Sequence, residues 1–326
     1  MPKARRTALF RRISRKMKTK PELLTVIGNG FDLHHELKSS YWDFRDFISD
    51  RDQDLLNILE HSLDTNPLWS DFEGSLGDID VLIERAEMFL VSYGSEDWSD
   101  SYHHDYGYEL DKGISAITGQ LKDLFTEWIL SLNLTIKKDV GDKRLNIRKH
   151  SIFLNFNYTP TLEKVYGIQQ KSILYLHHKA IDKKSLLILG HSMKPRQQQP
   201  LTAYRLEETQ SEDPRVLEGE RTIEEYYKNT YKSTDKVISD NFKFFKSLRN
   251  VSEVHILGHS LSSVDLEYFR IIFESTKHNN VKWKVSYQQV EDILHHRKAL
   301  MRIGVGERSI TFYRLMDVYS KQYSLF

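Results

Sequence analysis

The chain has 326 residues, and its 47 Lys and Arg nearly balance its 46 Asp and Glu, giving a formal charge of +1. This balance excludes a broad electrostatic attraction of the whole molecule to nucleic acid or anionic lipid. The absence of cysteine excludes disulfides, thiolate metal sites and cysteine nucleophiles. No apolar run is long enough to span a bilayer, so we expect a cytoplasmic protein, and we predict no metal site.

The first segment, residues 1–22, is strongly basic. Nine of the first twenty residues are Lys or Arg and none is acidic. One interpretation is an arm that binds nucleic acid or a membrane surface, since such clusters neutralise phosphates. We favour a flexible tail, because only Leu9, Phe10 and Ile13 could form an apolar face.

Residues 23–326 alternate short β-rich runs with longer helical ones. This alternation predicts one α/β domain with a mainly parallel sheet of the Rossmann-like type. The strand candidates are continuously apolar, which indicates burial on both faces of the sheet. They are residues 23–27, 151–155, 173–177, 185–190, 253–258, 282–287 and 309–313.

Two long stretches interrupt the strands. Residues 45–148 contain no good strand but show helical patterns near 53–63, 71–92 and 107–132, which predicts a large helical insertion. Residues 193–220 are polar and contain three prolines, so we predict a mobile loop of the kind that often acts as a lid. The pattern becomes helical again over 221–248.

The stretch VIGNGFD (26–32) joins the first strand to a helix through Gly28 and Gly30. A glycine turn at a helix start presents backbone N–H groups that favour phosphate. The dinucleotide fingerprint is incomplete, because Leu33 stands at the third glycine position, and a dehydrogenase is therefore not expected. Asp32 is either a plain N-cap or an acceptor for a ribose hydroxyl.

Polar residues follow four of the predicted strands. They are Asn155 and Asn157, His177 and His178, and the Gly-His-Ser runs at 190–192 and 258–260. Because the carboxyl ends of parallel strands face one crevice, we expect these residues to share a site. Asn157 as a local turn residue and His177 as a core histidine remain alternatives.

Two further interpretations concern the end of the chain. Ser262 and Asp265 have the spacing of a capping box for the helix that follows. The run GHSLS (258–262) lies between a strand and a helix, as a serine nucleophile does in hydrolases. A serine hydrolase would use Ser260 as nucleophile, with His295 or His296 as base and Asp292 as acid.

Four segments together resemble the AbiH family of phage abortive infection proteins. They are IGNGFDLHHELKSSYWDF (27–44), PLWSDFEGSLGDID (67–80), FNYTPTLEKVY (156–166) and EVHILGHSLSSVDLEYF (253–269). That family in turn resembles the sirtuin-like NAD-binding fold. The resemblance implies catalytic roles for Asn157 and His177. It implies nucleotide binding by Gly28, Asn29, Gly30, Phe31, Asp32, Gly258, His259, Ser260 and Asp265.

The family pattern reads His-x-His-Gly where this chain has Tyr175-Leu176-His177-His178. Here His178 occupies the position of the glycine, which is expected to alter the pocket if the glycine allows close backbone approach. The resemblance implies a defence effector that hydrolyses NAD at the nicotinamide glycosidic bond. A sensor that binds NAD or ADP-ribose without turnover is the alternative. A phage-derived trigger, a protein partner and a homo-oligomer are all left open.

Overall fold

The computed structural model describes residues 23–63, 68–137, 143–194 and 213–318. Six strands in this part of the chain form one parallel sheet in the order β3-β2-β1-β4-β5-β6. This is the order of doubly wound dinucleotide-binding sheets, and it confirms the predicted α/β class. The strands are β1 (Leu23–Ile27), β2 (Ile152–Asn155), β3 (Ile173–Tyr175), β4 (Glu253–Leu257), β5 (Lys282–Tyr287) and β6 (Ile310–Arg314).

The central strands are apolar because helices cover both faces of the sheet. In β1, Leu24 and Val26 belong to one hydrophobic cluster, whereas Ile27 belongs to another. All three side chains are buried. Alternate residues of a strand point to opposite faces, so a strand covered on both sides needs the continuous apolar run that the sequence shows.

The predicted strand at 185–190 is wrong. This segment is not part of the sheet, although the Ile188 N–H donates to the carbonyl of His177 at 3.1 Å. A parallel strand needs a crossover of about a dozen residues or more, and the segment follows β3 too closely for that. His191 instead forms an isolated bridge with Tyr231.

Helices fill the interval between β1 and β2. The predicted helical stretches near 53–63 and 107–132 are present, and the stretch near 71–92 contains two short helices. The helices are α1 (Asn29–His34), α2 (Tyr41–Ser49), α3 (Gln53–Ser62), α4 (Phe72–Ser75), α5 (Asp80–Glu87), α6 (Asp105–Ser115) and α7 (Leu121–Thr135), with a π-helical turn (Ala116–Gln120) before α7.

The remaining helices pack on the sheet, except for the long helix Pro214–Thr230, which packs on α6. They are α8 (Thr161–Tyr166), α9 (Pro214–Thr230), α10 (Thr234–Asp240), α11 (Phe242–Ser247), α12 (Leu266–Thr276) and α13 (Asp292–Arg302). None of the helices within the described ranges combines the length and the apolar character that a bilayer span requires.

The predicted mobile loop is too long at its C-terminal end. Helix α9 begins at Pro214, and Asp213 caps it by accepting from the Arg215 N–H at 2.9 Å. An Asp cap followed by a proline in the first turn is a helix-start signal. Residues 195–212 of that loop and the predicted tail at 1–22 lie outside the described residues.

The helices between β1 and β2 have their own aromatic core. The rings of Phe44 and Trp128 stack at 4.9 Å, and Phe125 lies edge-on to Phe44 at 5.2 Å. Tyr158, which follows β2, joins this core by packing edge-on against Phe125 at 5.0 Å. The helical layer is thereby fixed beside the carboxyl end of the sheet, where β2 ends.

Candidate functional site

A cavity of about 790 Å³ lies at the carboxyl ends of β1 and β4. These neighbouring strands are followed by connections that leave in opposite directions, to β2 and to β5, which makes this edge the topological switch point of the sheet. The cavity has the size of a nucleotide or cofactor site. Its walls come from the ends of all six strands or the turns that follow them, and from the helical layer.

Two glycine turns pack backbone to backbone at the base of the cavity. The Gly28 N–H donates to the Leu257 carbonyl at 3.0 Å, and the Gly30 N–H donates to the Gly258 carbonyl at 2.7 Å. Both groups are therefore paired within the protein, which corrects the prediction that they are available to a phosphate. A Cβ atom on Gly30 would lie 2.9 Å from the Gly258 Cα, so the glycines allow the two turns to meet.

The neighbours of these glycines have structural contacts. The Asn29 side chain is exposed at the cavity and bonds Ser39 twice, with its amide donating to the carbonyl and its oxygen accepting from the hydroxyl. Phe31 is fully buried against Tyr166 in the core, with ring centroids 5.6 Å apart, and does not line the cavity. The structure therefore gives Phe31 a packing role where nucleotide binding was predicted.

Asp32 lies in the cavity wall and is not the N-cap of α1, which is Gly28. Its Oδ2 accepts from the Thr159 hydroxyl, whereas its buried Oδ1 has no hydrogen-bond partner among the described residues. Burial raises the pKa of Asp32 to about 6, against the hydrogen bonds from Thr159, Thr161 and Asn157. A carboxyl group in this state can exchange a proton near neutral pH.

Asn157 connects the end of β2 to the first glycine turn. Its side-chain amide donates to the Gly28 carbonyl at 3.1 Å, and its backbone N–H donates to the Asn155 side chain at 3.0 Å. The residue is buried and lines the cavity. Asn157 is therefore more than a local turn residue, because its amide bonds the first glycine turn, 129 positions away in the sequence.

His177 follows β3 and faces the cavity from its buried wall. Burial lowers the pKa of His177 well below its ordinary value, and the positive charge of Lys232 lowers it further. The Nε2 atom lies 3.6 Å from the Asp265 Oδ1 and has no hydrogen-bond partner within the described ranges. His177 is thus a neutral imidazole with an unengaged nitrogen at a cavity.

Asp265 is the acidic centre of the site and not part of a capping box. Its Oδ2 lies 3.5 Å from the Nε2 of His259, whose Nδ1 accepts from the Leu261 N–H. This bond places the ring proton of neutral His259 on Nε2, toward the carboxylate. Burial acts to raise the pKa of Asp265, but the charge of Lys232 and the hydrogen bond from His259 hold it well below its usual range.

Glu73 and Lys232 complete the cluster, and neither residue was predicted to lie in the site. The Lys232 ammonium is fully buried and donates to the Glu73 Oε2 at 2.7 Å and to the Asp265 Oδ1 at 2.9 Å. Burial acts to lower the pKa of Lys232, but the two carboxylates raise it. Glu73 lies in segment 67–80, one of the four that resemble a known family, and this resemblance could have identified it. Lys232 lies in none of these segments.

The pKa values of the two carboxyl groups are displaced in opposite directions. Burial raises the pKa of Glu73, and repulsion from Asp265 adds to this effect. Asp265 therefore stays ionised, while Glu73 takes up a proton more readily. Two neighbouring carboxyl groups with separated pKa values are typical of sites that move protons or stabilise charge.

The late loop does not form a serine hydrolase site. Ser260 is exposed at the cavity, but Asp292 accepts from the backbone N–H groups of Gln288 and Gln289. His296 interacts with the Ser260 backbone, and burial lowers its pKa to about 4. Asp292 therefore does not hold a histidine in position, as the acid of a catalytic triad must.

The Gly-His-Ser run at 190–192 does not share the site. His191 is buried away from the cavity, and its Nε2 bonds the Thr230 hydroxyl at 3.0 Å. The backbone conformation at His178, in contrast, explains why the family pattern has a glycine at this position. His178 has a left-handed backbone, with φ 67°, and its exposed ring bonds the Leu186 carbonyl outside the cavity. Glycine at this position serves the backbone conformation, and His178 leaves the pocket unobstructed.

The site combines an ionised carboxylate, a neutral imidazole and a protonatable carboxyl group around one cavity. No group of three or more His, Asp or Glu residues in the described part of the chain is arranged to hold a metal ion. The arrangement can bind a polar ligand with hydroxyl groups, stabilise positive charge and accept a proton from water.

Comparisons with known proteins agree with the motifs. Neither the curated proteins nor the solved structures contain a match to this chain. A family model described as "Bacteriophage abortive infection AbiH" matches residues 24–287, which include all but the first residue of β1, the whole of β2 to β5 and every residue of the charged cluster. The chain belongs to the AbiH family of bacteriophage abortive infection proteins.

Proposed function

We propose that this protein acts in antiphage defence by hydrolysing NAD at the bond between nicotinamide and ribose. The observation that carries the proposal is the unengaged Nε2 of His177, 3.6 Å from the Asp265 carboxylate, at a nucleotide-sized cavity at the switch point. One group is a neutral base and the other a carboxylate kept ionised by Lys232. The distant resemblance of the family to the sirtuin-like fold is in keeping with NAD as the ligand.

The reaction needs these two kinds of group. The bond between ribose C1 and the pyridinium nitrogen breaks, and its electron pair goes to that nitrogen, so nicotinamide leaves as a neutral molecule. Positive charge develops on the ribose, where the Asp265 carboxylate stabilises it. A water oxygen then bonds C1, and the proton that this water loses passes to the Nε2 of His177.

The other residues bind and orient the substrate. The unpaired Oδ1 of Asp32 accepts a ribose hydroxyl, and Asn157 beside it contacts the ribose or the water. The diphosphate lies toward the ends of β4 and β6, where Ser260 and Arg314 line the cavity. This assignment places the phosphates at side chains, since the N–H groups of Gly28 and Gly30 are already used.

Nicotinamide release from NAD by the purified protein, followed by chromatography, tests the proposal. His177→Ala and Asn157→Ala should each lose about 100-fold or more of the activity, because the first removes the proposed base and the second removes a group that orients the ribose or the water. His178→Ala is the matched control, because this neighbouring histidine is exposed and lies outside the cavity. It should keep the parent activity.

The assay is run with and without extract from phage-infected cells, so that an activator is present. Circular dichroism first establishes that each variant is folded. Activity within about threefold of the parent in folded His177→Ala would exclude the mechanism. Binding of NAD or ADP-ribose without nicotinamide release would identify a nucleotide sensor instead.

A further inference from the structure

The near-neutral charge of the chain is unevenly distributed. Residues 1–22 carry nine Lys and Arg and a single acid, Glu22. The other 304 residues carry 38 Lys and Arg against 45 Asp and Glu. A positively charged segment is thus joined to a negatively charged body. Opposite charges attract one another over about 10 Å at an ionic strength of about 0.1 M, so a negative surface of the body would attract this segment.

The negative charge is concentrated in one part of the helical layer. Residues 86–111, which run from the end of α5 into α6, contain seven Asp or Glu and no Lys or Arg. Three of these acids, Glu96, Asp97 and Asp100, are exposed on the connection between the two helices. A basic partner can therefore reach their carboxylates without displacing any buried group.

The same connection exposes apolar surface. We define the acidic face as residues 88–108, whose exposed apolar side chains are Met88, Phe89, Tyr93, Tyr102 and Tyr108, at 37–73% exposure. A single exposed apolar residue is ordinary on a soluble protein, whereas several within one short stretch are typical of an interaction surface. The acidic face thus combines exposed carboxylates with exposed rings.

The acidic face already binds one guanidinium group of this chain. The Arg215 Cζ lies 4.3 Å from the ring centroid of Tyr93 and 5.2 Å from that of Trp98, and Arg215 pairs with Asp213 at 2.7 Å. Tyr93 nevertheless remains 46% exposed. Rings beside carboxylates suit the stacking and pairing of arginine, and part of this surface is still open to a further basic group.

Residues 1–22 have the complementary composition. Five of their nine basic residues are Arg, and Leu9, Phe10 and Ile13 lie among them. The segment lies outside the described residues and joins the sheet at Leu23. Phe10 is thirteen residues before Leu23, a length that spans up to about 45 Å, which is similar to the width of a domain with a radius of gyration of about 20 Å. The segment is therefore long enough to cross the molecule.

We infer that residues 1–22 dock on the acidic face of the same chain. Their basic side chains pair with Glu96, Asp97 and Asp100, and the apolar side chains between them cover exposed rings of the face. Docking withholds the basic segment from nucleic acid and anionic lipid, since its charges are already paired. The acidic face lies outside the cavity, and the inference does not depend on NAD hydrolysis.

Cross-linking tests the inference in the whole chain, which has no cysteine of its own. Ser14→Cys places a thiol in the basic segment, and Ser92→Cys places one on the acidic face, where Ser92 is exposed. A short bismaleimide joins two thiols that lie close together. Gel electrophoresis separates monomeric from dimeric products, and mass spectrometry of the digested monomer measures the yield of the intramolecular cross-link.

Ser14→Cys/Ser247→Cys is the matched control. Ser247 is also exposed, and it lies only six residues before Glu253, which pairs with Leu23 at the start of β1. An undocked segment would meet position 247 more often than position 92, because it is attached close by. Docking should reverse this order and give Ser14→Cys/Ser92→Cys a yield about tenfold above the control, since it raises the local concentration of the two thiols.

Charge reversal tests the part played by the carboxylates. In the doubly substituted chain, Glu96→Lys/Asp97→Lys should lower the yield at least about fivefold, because like charges repel. Asp50→Lys/Asp123→Lys changes the net charge equally, at exposed positions outside the acidic face, and should leave the yield within about twofold of the parent. Circular dichroism first establishes that each variant is folded.

Three results would overturn the inference. The first is a yield at Ser247→Cys that equals or exceeds the yield at Ser92→Cys. The second is a yield that is unchanged after charge reversal on the acidic face. The third is a product found mainly as a cross-linked dimer, which would place the segment on a second copy of the chain.

Discussion

Removing the Lys232 ammonium should destabilise the protein severely. Its side chain is fully buried, and the change Lys232→Met leaves the carboxylates of Glu73 and Asp265 without the ammonium that they share. Breaking one buried pair in this way costs about 3–5 kcal/mol, and here two pairs are broken. Because a domain has only about 5–15 kcal/mol of stability, we expect a marginally folded variant.

A second change distinguishes the effect of the unpaired carboxylates from a loss of packing. Glu73→Gln removes one of the two negative charges, so Glu73→Gln/Lys232→Met should be more stable than Lys232→Met alone. The destabilisation should also lessen as the pH falls toward 5, because an unpaired buried carboxylate has a raised pKa and regains stability on protonation.

The assay is urea denaturation followed by tryptophan fluorescence at pH 5 and pH 8. Lys194→Met is the matched control, since Lys194 pairs with Asp235 at 2.9 Å but both side chains are mostly exposed. Its stability should equal that of the parent. A parent-like midpoint for Lys232→Met, or a double variant that is less stable than Lys232→Met, would refute the reasoning.

Two further predictions concern Gly258 and Asp32, which both line the cavity. Gly258→Ala should lose more than about 2 kcal/mol, because its φ is 67° and a Cβ would lie 2.2 Å from the Phe31 nitrogen. Gly167→Ala has the same φ with no atom near its Cβ and should lose only about 1 kcal/mol in the same urea assay; equal losses would contradict the packing argument. The pKa of Asp32 is raised in the folded protein, so its contribution to stability is present below pH 3.8 and is lost as pH rises through about 6. This loss is about 3 kcal/mol, and Asp32→Asn should abolish it; an unchanged pH profile would show that Asp32 does not titrate there.

The sheet was largely predictable because its strands are buried on both faces. Such strands are continuous apolar runs, and β1, β4 and β5 appear in the sequence nearly with their observed bounds. The predicted strand at 185–190 was wrong because an apolar run indicates that its residues are buried, and not that they pair with a neighbouring strand. Leu189 is indeed buried, but in the aromatic core of the helical layer.

The site was predictable only where its residues follow strands. Asn157, His177 and His259 occupy such positions, and the parallel sheet brings them to one edge. Glu73 lies in the short helix α4 and Lys232 in the connection between α9 and α10, 159 residues away, so the two meet through tertiary packing alone. The hydrogen bonds of Gly28 and Gly30 could not be predicted either. The sequence of a glycine turn is the same whether its N–H groups face a ligand or a neighbouring loop.

The central claim is tested most directly by cellular NAD during phage infection. NAD is measured in bacteria that express the parent, His177→Ala or His178→Ala, at matched protein levels and before lysis. The account predicts that NAD falls in cells with the parent and with His178→Ala, together with protection of the culture, and that neither occurs with His177→Ala. Protection by the parent while NAD stays at the level of uninfected cells would contradict it.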